Sequence, residues 1–227
     1  MKVRIPAHWN GPPTSANGGY TCGLVAGLLG APSAAVSLRA PPPLEQTLDV
    51  EREGDRLLVR DGAQVVAAGW TVAAPALEAP PAVGLEEARA ASRSGFGRWS
   101  AAHPFPTCVV CGPDRDDGLR IFPGPLSAGL HGAVWEPGSA VGVEQVWAAL
   151  DCPSSSPVAN WGEGPPIVLA RLHAHVERLP RGGEELAVVS WALGTEGRKR
   201  EAASALLAAD GSVLARARAL WIELRPG

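Results

Sequence analysis

Two stretches carry residues whose type and spacing suit chemistry. Asp151, in GVEQVWAALDCPSS, is a carboxylate near the C-terminal end of an apolar helix. The helix dipole disfavours a negative charge there, so Asp151 is a candidate general base or nucleophile. Its plain structural alternative is a helix-terminal residue, with Cys152-Pro153 ending the helix. Asn17-Gly18-Gly19 opens a second apolar stretch, NGGYTCGLVAGLLG. Free N–H groups at a helix start favour anions, and glycine lets a ligand approach the backbone closely; Asn17 suits a cap or a ligand contact. Glu144, one turn into the later helix, reads as ordinary dipole pairing.

Other groups invite chemistry with less support. Cys108-x-x-Cys111 has the spacing of a metal or redox pair, but a closed zinc site needs about four ligands, and no second such pair or clustered His pair follows it. His173 and His175 share a face of a strand and lack a third partner, so neither a metal nor a cofactor is expected. Gly197-Arg198-Lys199-Arg200 is the densest basic cluster among 20 Lys and Arg; it suits phosphate groups or a solvated hairpin loop. Tyr20 and Trp147, one on each helix, are candidates to line an apolar pocket, although aromatics on buried helices are more often core; the same holds for Trp135 and Trp191. There is no Gly-x-Ser-x-Gly elbow and no phosphate loop.

The elements that position these groups come in two similar sets. LLVRDGAQVVAAGWT and LLAADGSVLARARAL each place an Asp-Gly turn, Asp61-Gly62 and Asp210-Gly211, between β-compatible runs, the pattern of a tight antiparallel hairpin. Each follows one of the two apolar helices, the first ended by Gly30-Ala31-Pro32. The helices are offset by less than the hairpins, so the second half must hold an insertion or longer strands. Residues 167–193 supply it, as two strands around a Pro-Arg-Gly-Gly turn. Between the halves the chain is rich in Ala and Pro, with a short helix at 85–93. The division is an N-terminal half at 1–74, a linker at 75–106 and a C-terminal half at 107–227. One helix and a run of antiparallel strands per half requires the helix to pack across a sheet face.

Composition narrows the classes. With 227 residues, 46% hydrophobic and 19% charged, a sizeable core is available, and no run approaches the ~18 apolar residues that span a bilayer. A net charge of −3 gives no general pull toward nucleic acid or anionic lipid. The charged, proline-containing start MKVRIPAHWNG lacks the apolar core of an export signal. A cytoplasmic protein with four reduced cysteines is the expectation.

Three segments resemble the hotdog thioesterase superfamily in its fused, two-domain form. Cys108 to Phe122, CVVCGPDRDDGLRIF, is similar to a Cys-x-x-Cys-Gly segment leading into Gly-Leu and a first strand; Asn17-Gly18-Gly19 resembles the His-Gly-Gly that opens the family's central helix; Leu150-Asp151 resembles the Leu-Asp further along it. The resemblance implies an α+β double hotdog, with two antiparallel sheets each wrapped on a central helix and joined as a pseudo-dimer. The departures are complementary: the first half has the glycines but Ala26 at the carboxylate position, and the second has Asp151 but Gly142-Val143-Glu144 at the helix start. Because family sites combine a helix start from one partner with the carboxylate of the other, one complete site of Gly18, Gly19 and Asp151 is implied. The expected activity is acyl-CoA thioester hydrolysis, with the glycines as oxyanion donors, Asp151 as base or nucleophile, the acyl chain between the helices near Tyr20 and Trp147, and coenzyme A phosphates at Arg198 and Lys199. A non-catalytic module binding an acyl or apolar ligand is the alternative. A hydratase would want a Gly-Asp-x-Asn-Pro setting, which is absent. Further pairing into a homodimer is compatible with such a fold.

Overall fold

The computed structural model describes residues 1–78, 82–95, 98, 103–161 and 163–225. Helix α1 (Gly18–Leu29) begins where the Asn17 side chain accepts the Tyr20 N–H at 2.8 Å, and ends at Gly30, whose φ of 67° is the left-handed cap that glycine adopts without penalty. Strands β2 (Ser33–Leu38), β3 (Thr47–Glu53), β4 (Arg56–Asp61) and β5 (Gln64–Thr71) follow, after the short β1 (Lys2–Arg4). The second half carries β6 (Gly124–Pro125), β7 (Leu130–Trp135), helix α3 (Val143–Ser155), β8 (Ile167–Val176), β9 (Leu186–Glu196), β10 (Lys199–Leu207) and β11 (Val213–Glu223). Between them α2 (Leu85–Arg93) occupies the residues expected for a short helix; it lies against β7 and β9, with Ala88 and Ala91 buried and Arg89 paired with Glu185. Residues 79–81, 96, 97 and 99–102 of the expected linker lie outside the described residues.

Among the described residues all strands belong to one antiparallel sheet in the order β1-β3-β4-β5-β2-β8-β11-β10-β9-β7-β6. The two sheets expected separately are thus joined edge to edge, through the register Ser33↔His175 to Ser37↔Arg171 between β2 and β8. This pairing removes one exposed edge from each half. Both Asp-Gly turns close hairpins, β4 to β5 and β10 to β11. The strands at 167–193 are not partners of each other: β8 pairs with β2 and β11, while β9 pairs with β10 and β7.

Helix α3 does not stop at Cys152-Pro153 but continues through Pro153 to Ser155. Proline removes one backbone bond of the last turn, and side-chain hydroxyls take up nearby carbonyls: Ser204 Oγ donates to Leu150 O, Ser154 Oγ to Asp151 O and Ser155 Oγ to Cys152 O. Asp151 therefore lies a full turn inside the helix.

The two helices lie side by side on the sheet and touch through Gly19 and Gly23 of α1, one turn apart. A Cβ at Gly19 would come within 2.3 Å of Asp151 Cβ, and one at Gly23 within 2.6 Å of Glu144 Cα. Side chains of both helices, with Val36, Leu172, Leu206 and Leu214 from the sheet, form the main core. The contact is too tight to admit an acyl chain, which corrects the expected location of the substrate between the helices.

Gly23→Ala should destabilise the fold by about 1–3 kcal/mol, as overpacking does. Gly27→Ala, whose Cβ would meet only Glu144 Oε1 at 3.6 Å, should be neutral or stabilising by up to about 1 kcal/mol from helix propensity. Denaturant unfolding of both variants checks the contrast.

Candidate active site

The close approach of the helices brings the start of α1 onto the last turns of α3. The Gly19 N–H, unpaired within its own helix, donates to Asp151 Oδ2 at 2.7 Å. Asp151 is 2% exposed, and its Oδ1 is buried without a hydrogen-bond partner among the described residues. Burial is the main reason its carboxyl is raised to about 7; negative charge on Cys108 adds to the rise, while the Gly19 N–H and the Asn17 side chain work against it. The group is poised to gain or lose a proton near neutrality, as a general base requires.

Asp151 borders a cavity of about 790 Å³ that opens where α1 begins and α3 ends. Its walls are mainly apolar, with Leu38, Phe105, Ile167, Leu169 and Trp221 prominent, and its size is in the range of small-molecule sites. Gly18 borders this cavity and Gly19 does not. The pair expected to act alike is therefore divided. Gly18 offers an N–H with no protein partner among the described residues, whereas the Gly19 N–H is committed to Asp151. Arg39 is the one Arg or Lys bordering the cavity among the described residues, and sequence reasoning missed it.

Asn17 is buried, and since its Oδ1 caps α1, its Nδ2 is turned toward sulfur: 3.5 Å from Cys152 Sγ and 3.9 Å from Cys108 Sγ. Cys108, Cys111 and Cys152 meet at the cavity wall, with all three sulfurs within 4.8 Å of one another. Hydrogen bonds from the other two thiols hold the Cys108 thiol well below the ordinary range, while donation to Cys108 pushes Cys111 well up. Cys22 is remote, buried under β2 with its thiol toward Val36 O. Sequence spacing shows the Cys108/Cys111 pair; only the fold supplies Cys152.

Several expected substrate contacts are placed elsewhere. Trp147 is 1% exposed and fills the core against Gly23 of α1, so it is packing. Tyr20 stacks on Trp9 with ring centroids 4.1 Å apart, outside the cavity lining. Trp135 is core, and Trp191 packs under α2 with a smaller apolar cluster. Arg198 lies on the exposed β9–β10 turn and Lys199 at the exposed start of β10; Lys199 faces Glu196 at 3.6 Å, while Arg198 donates to Glu223 O, beside the cavity residues Ile222 and Leu224. His173 contacts Ala73 O and His175 contacts Glu177, so the two do not form a ligand pair. At the pseudo-symmetric end, Ala26 is buried and Glu144 approaches Gly27.

No helix of the described residues is long and apolar enough to cross a membrane. No protein-family model and no curated protein sequence matches the chain. Solved structures do. The tesB protein of Mycobacterium avium subs paratuberculosis superimposes with a TM-score of 0.59 at 13% identity, over 99% of this chain and 92% of that one. The acyl-CoA thioesterase II TesB2 of Mycobacterium marinum gives 0.53 at 13% identity, over 94% and 91%. A conserved protein of unknown function with a hot dog fold from Alicyclobacillus acidocaldarius gives 0.56 at 12% identity, over 100% and 93%. Superposition along nearly the whole chain, with the large antiparallel sheet and its two packed helices, shows the fused double-hotdog fold.

Proposed function

We propose that the chain hydrolyses acyl-CoA thioesters at the junction of α1 and α3. The observation that carries this reading is the buried Asp151, fixed through Oδ2 by the Gly19 N–H while Oδ1 lacks a hydrogen-bond partner among the described residues, at the wall of an apolar cavity. The acyl chain occupies the apolar cavity, with its carbonyl oxygen toward the Gly18 N–H. Asp151 takes a proton from water as the water oxygen bonds to the carbonyl carbon. The oxyanion accepts from Gly18, where a helix start favours negative charge. Collapse breaks the C–S bond, and the proton held by Asp151 passes to the leaving thiolate. In the direct-attack variant Oδ1 bonds to the carbon, the C–S bond breaks as the oxyanion collapses, the thiolate leaves and takes a proton from solvent, and water then cleaves the resulting anhydride to free the acid and Asp151. Gly19 positions Asp151 rather than contacting substrate. Arg39 at the wall and Arg198 beside Leu224 are the cations available to coenzyme A phosphates. Coenzyme A esters as substrates accord with the cytoplasmic location expected of the chain.

Release of free thiol from a panel of short, long and aromatic acyl-CoA esters tests the reading. Asp151→Asn should retain the fold and lose about 10²- to 10⁴-fold in kcat. Saturable acyl-CoA binding without turnover in the wild type would instead favour the non-catalytic binding module. Gly18→Pro removes the proposed donor at the first helical position, where proline fits the backbone. Because any Cβ there would lie 3.0 Å from Leu169 Cδ2, the comparison is with Gly18→Ala, which adds the Cβ and keeps the N–H, and Gly18→Pro should lie below it in kcat by about 10²- to 10³-fold.

The pH dependence has a definite sign. The base must be ionised, so in buffers containing reductant and chelator kcat/KM should rise with pH and level off above about 7, the value to which Asp151 is raised. Stability should run the other way. A carboxyl whose folded pKa lies above its ordinary 3.8 favours folding at low pH and loses that contribution as pH rises to about 7. Thermal unfolding of the wild type should show this decline relative to Asp151→Asn. A parallel pH course in the two proteins would contradict the assignment.

A further inference from the structure

We propose that Cys108, Cys111 and Cys152 form a zinc(II) site with three thiolate ligands and its fourth position toward the cavity. The inference rests on sulfur geometry and stands apart from thioester hydrolysis. Cys108 Sγ and Cys152 Sγ are 3.7 Å apart. That is far beyond a disulfide bond of about 2.05 Å, yet it matches the edge of roughly 3.8 Å for a tetrahedron with Zn–S bonds of about 2.3 Å.

The turn that presents the first two sulfurs has the shape a metal-binding loop needs. The backbone N–H groups of Val110 and Cys111 point at Cys108 Sγ, and the Gly112 N–H donates to Cys108 O at 2.8 Å. A Cβ at Gly112 would lie 2.5 Å from the backbone N and O of Cys108 and from Pro106 O, so the fold of this turn demands glycine. Asn17 Nδ2 adds a further donor to Cys108 and Cys152. N–H groups converging on sulfur are the outer-shell arrangement that stabilises metal-bound thiolates.

Three sulfurs this close cannot all ionise without a cation between them. Zinc satisfies that requirement, with displacement of the thiol protons on binding. The site is also anchored independently of any metal. The Val109 N–H donates to Asn10 O, the Asn10 side chain to Thr107 O, and Cys152 is held in α3. Since all three cysteines border the cavity, water or a ligand atom can complete the coordination, as in zinc sites that keep one exchangeable position.

The test titrates cobalt(II) into the reduced, chelator-treated full chain. The expected result is one equivalent bound, with a thiolate-to-cobalt charge-transfer band and tetrahedral ligand-field bands that zinc abolishes. Cys152→Ser and Cys108→Ser should lose the bands, and Cys22→Ser should keep them. Should a serine variant misfold by circular dichroism, thiol labelling of the wild type with each modified cysteine located by peptide mapping decides: zinc should slow labelling of Cys108, Cys111 and Cys152 relative to the chelator-treated chain, and leave Cys22, buried in either state, unchanged. Absence of a saturable cobalt–thiolate band, its persistence in a folded Cys152→Ser, or equal labelling with and without zinc would overturn the proposal.

Discussion

The structure depends on the close contact of two helices that glycine alone permits. Gly19 and Gly23 present bare backbone to α3, and this brings the start of one helix within hydrogen-bonding distance of a carboxylate on the other. Displacing α1 outward by the width of one methyl group would part Gly19 N from Asp151 Oδ2. The carboxylate would then be buried with neither oxygen satisfied, a state whose cost protonation alone relieves. Packing and the proposed chemistry thus share one set of atoms.

The same contact accounts for the proposed activity having a single site. Each half supplies one helix, and the pseudo-symmetry of the halves creates two helix junctions. Only one holds both a glycine helix start and a carboxylate. At the other, Ala26 replaces the carboxylate and Glu144 sits over Gly27. The cavity opens at the first junction, where the segments before α1, after β2 and after α3 surround it together with the start of β8 and the end of β11. The β2–β8 pairing fixes the halves against each other and so holds both walls of that cavity.

Much of this organisation was legible in the sequence. Asn17 and Gly30 mark the ends of α1, and the Asp-Gly turns mark both hairpins, because capping and turn residues act locally. Asp151 stood out for its conflict with the helix dipole. Other features depend on contacts between distant segments. The extension of α3 past Pro153 relies on hydroxyl groups, one of them from Ser204 on β10. The third sulfur comes from a helix 41 residues beyond Cys111 in the chain. Trp147 and Tyr20 were misplaced because an aromatic residue on an apolar helix looks the same whether it lines a cavity or fills a core. The division of Gly18 from Gly19 was likewise hidden, although Gly19, Gly23 and Gly27 recur at helical spacing in the sequence. That stripe was the available sign of a close helix partner.

The central claim is that an acyl carbonyl is held between the Gly18 N–H and Asp151. A crystal structure with a non-hydrolysable acyl-CoA analogue tests it most directly. The account predicts the acyl chain in the cavity beside Leu169 and Trp221, its carbonyl oxygen within hydrogen-bonding distance of Gly18 N and its carbonyl carbon facing Asp151 Oδ1. An analogue bound at the Glu144 junction, or one whose carbonyl lies away from Asp151, would contradict it.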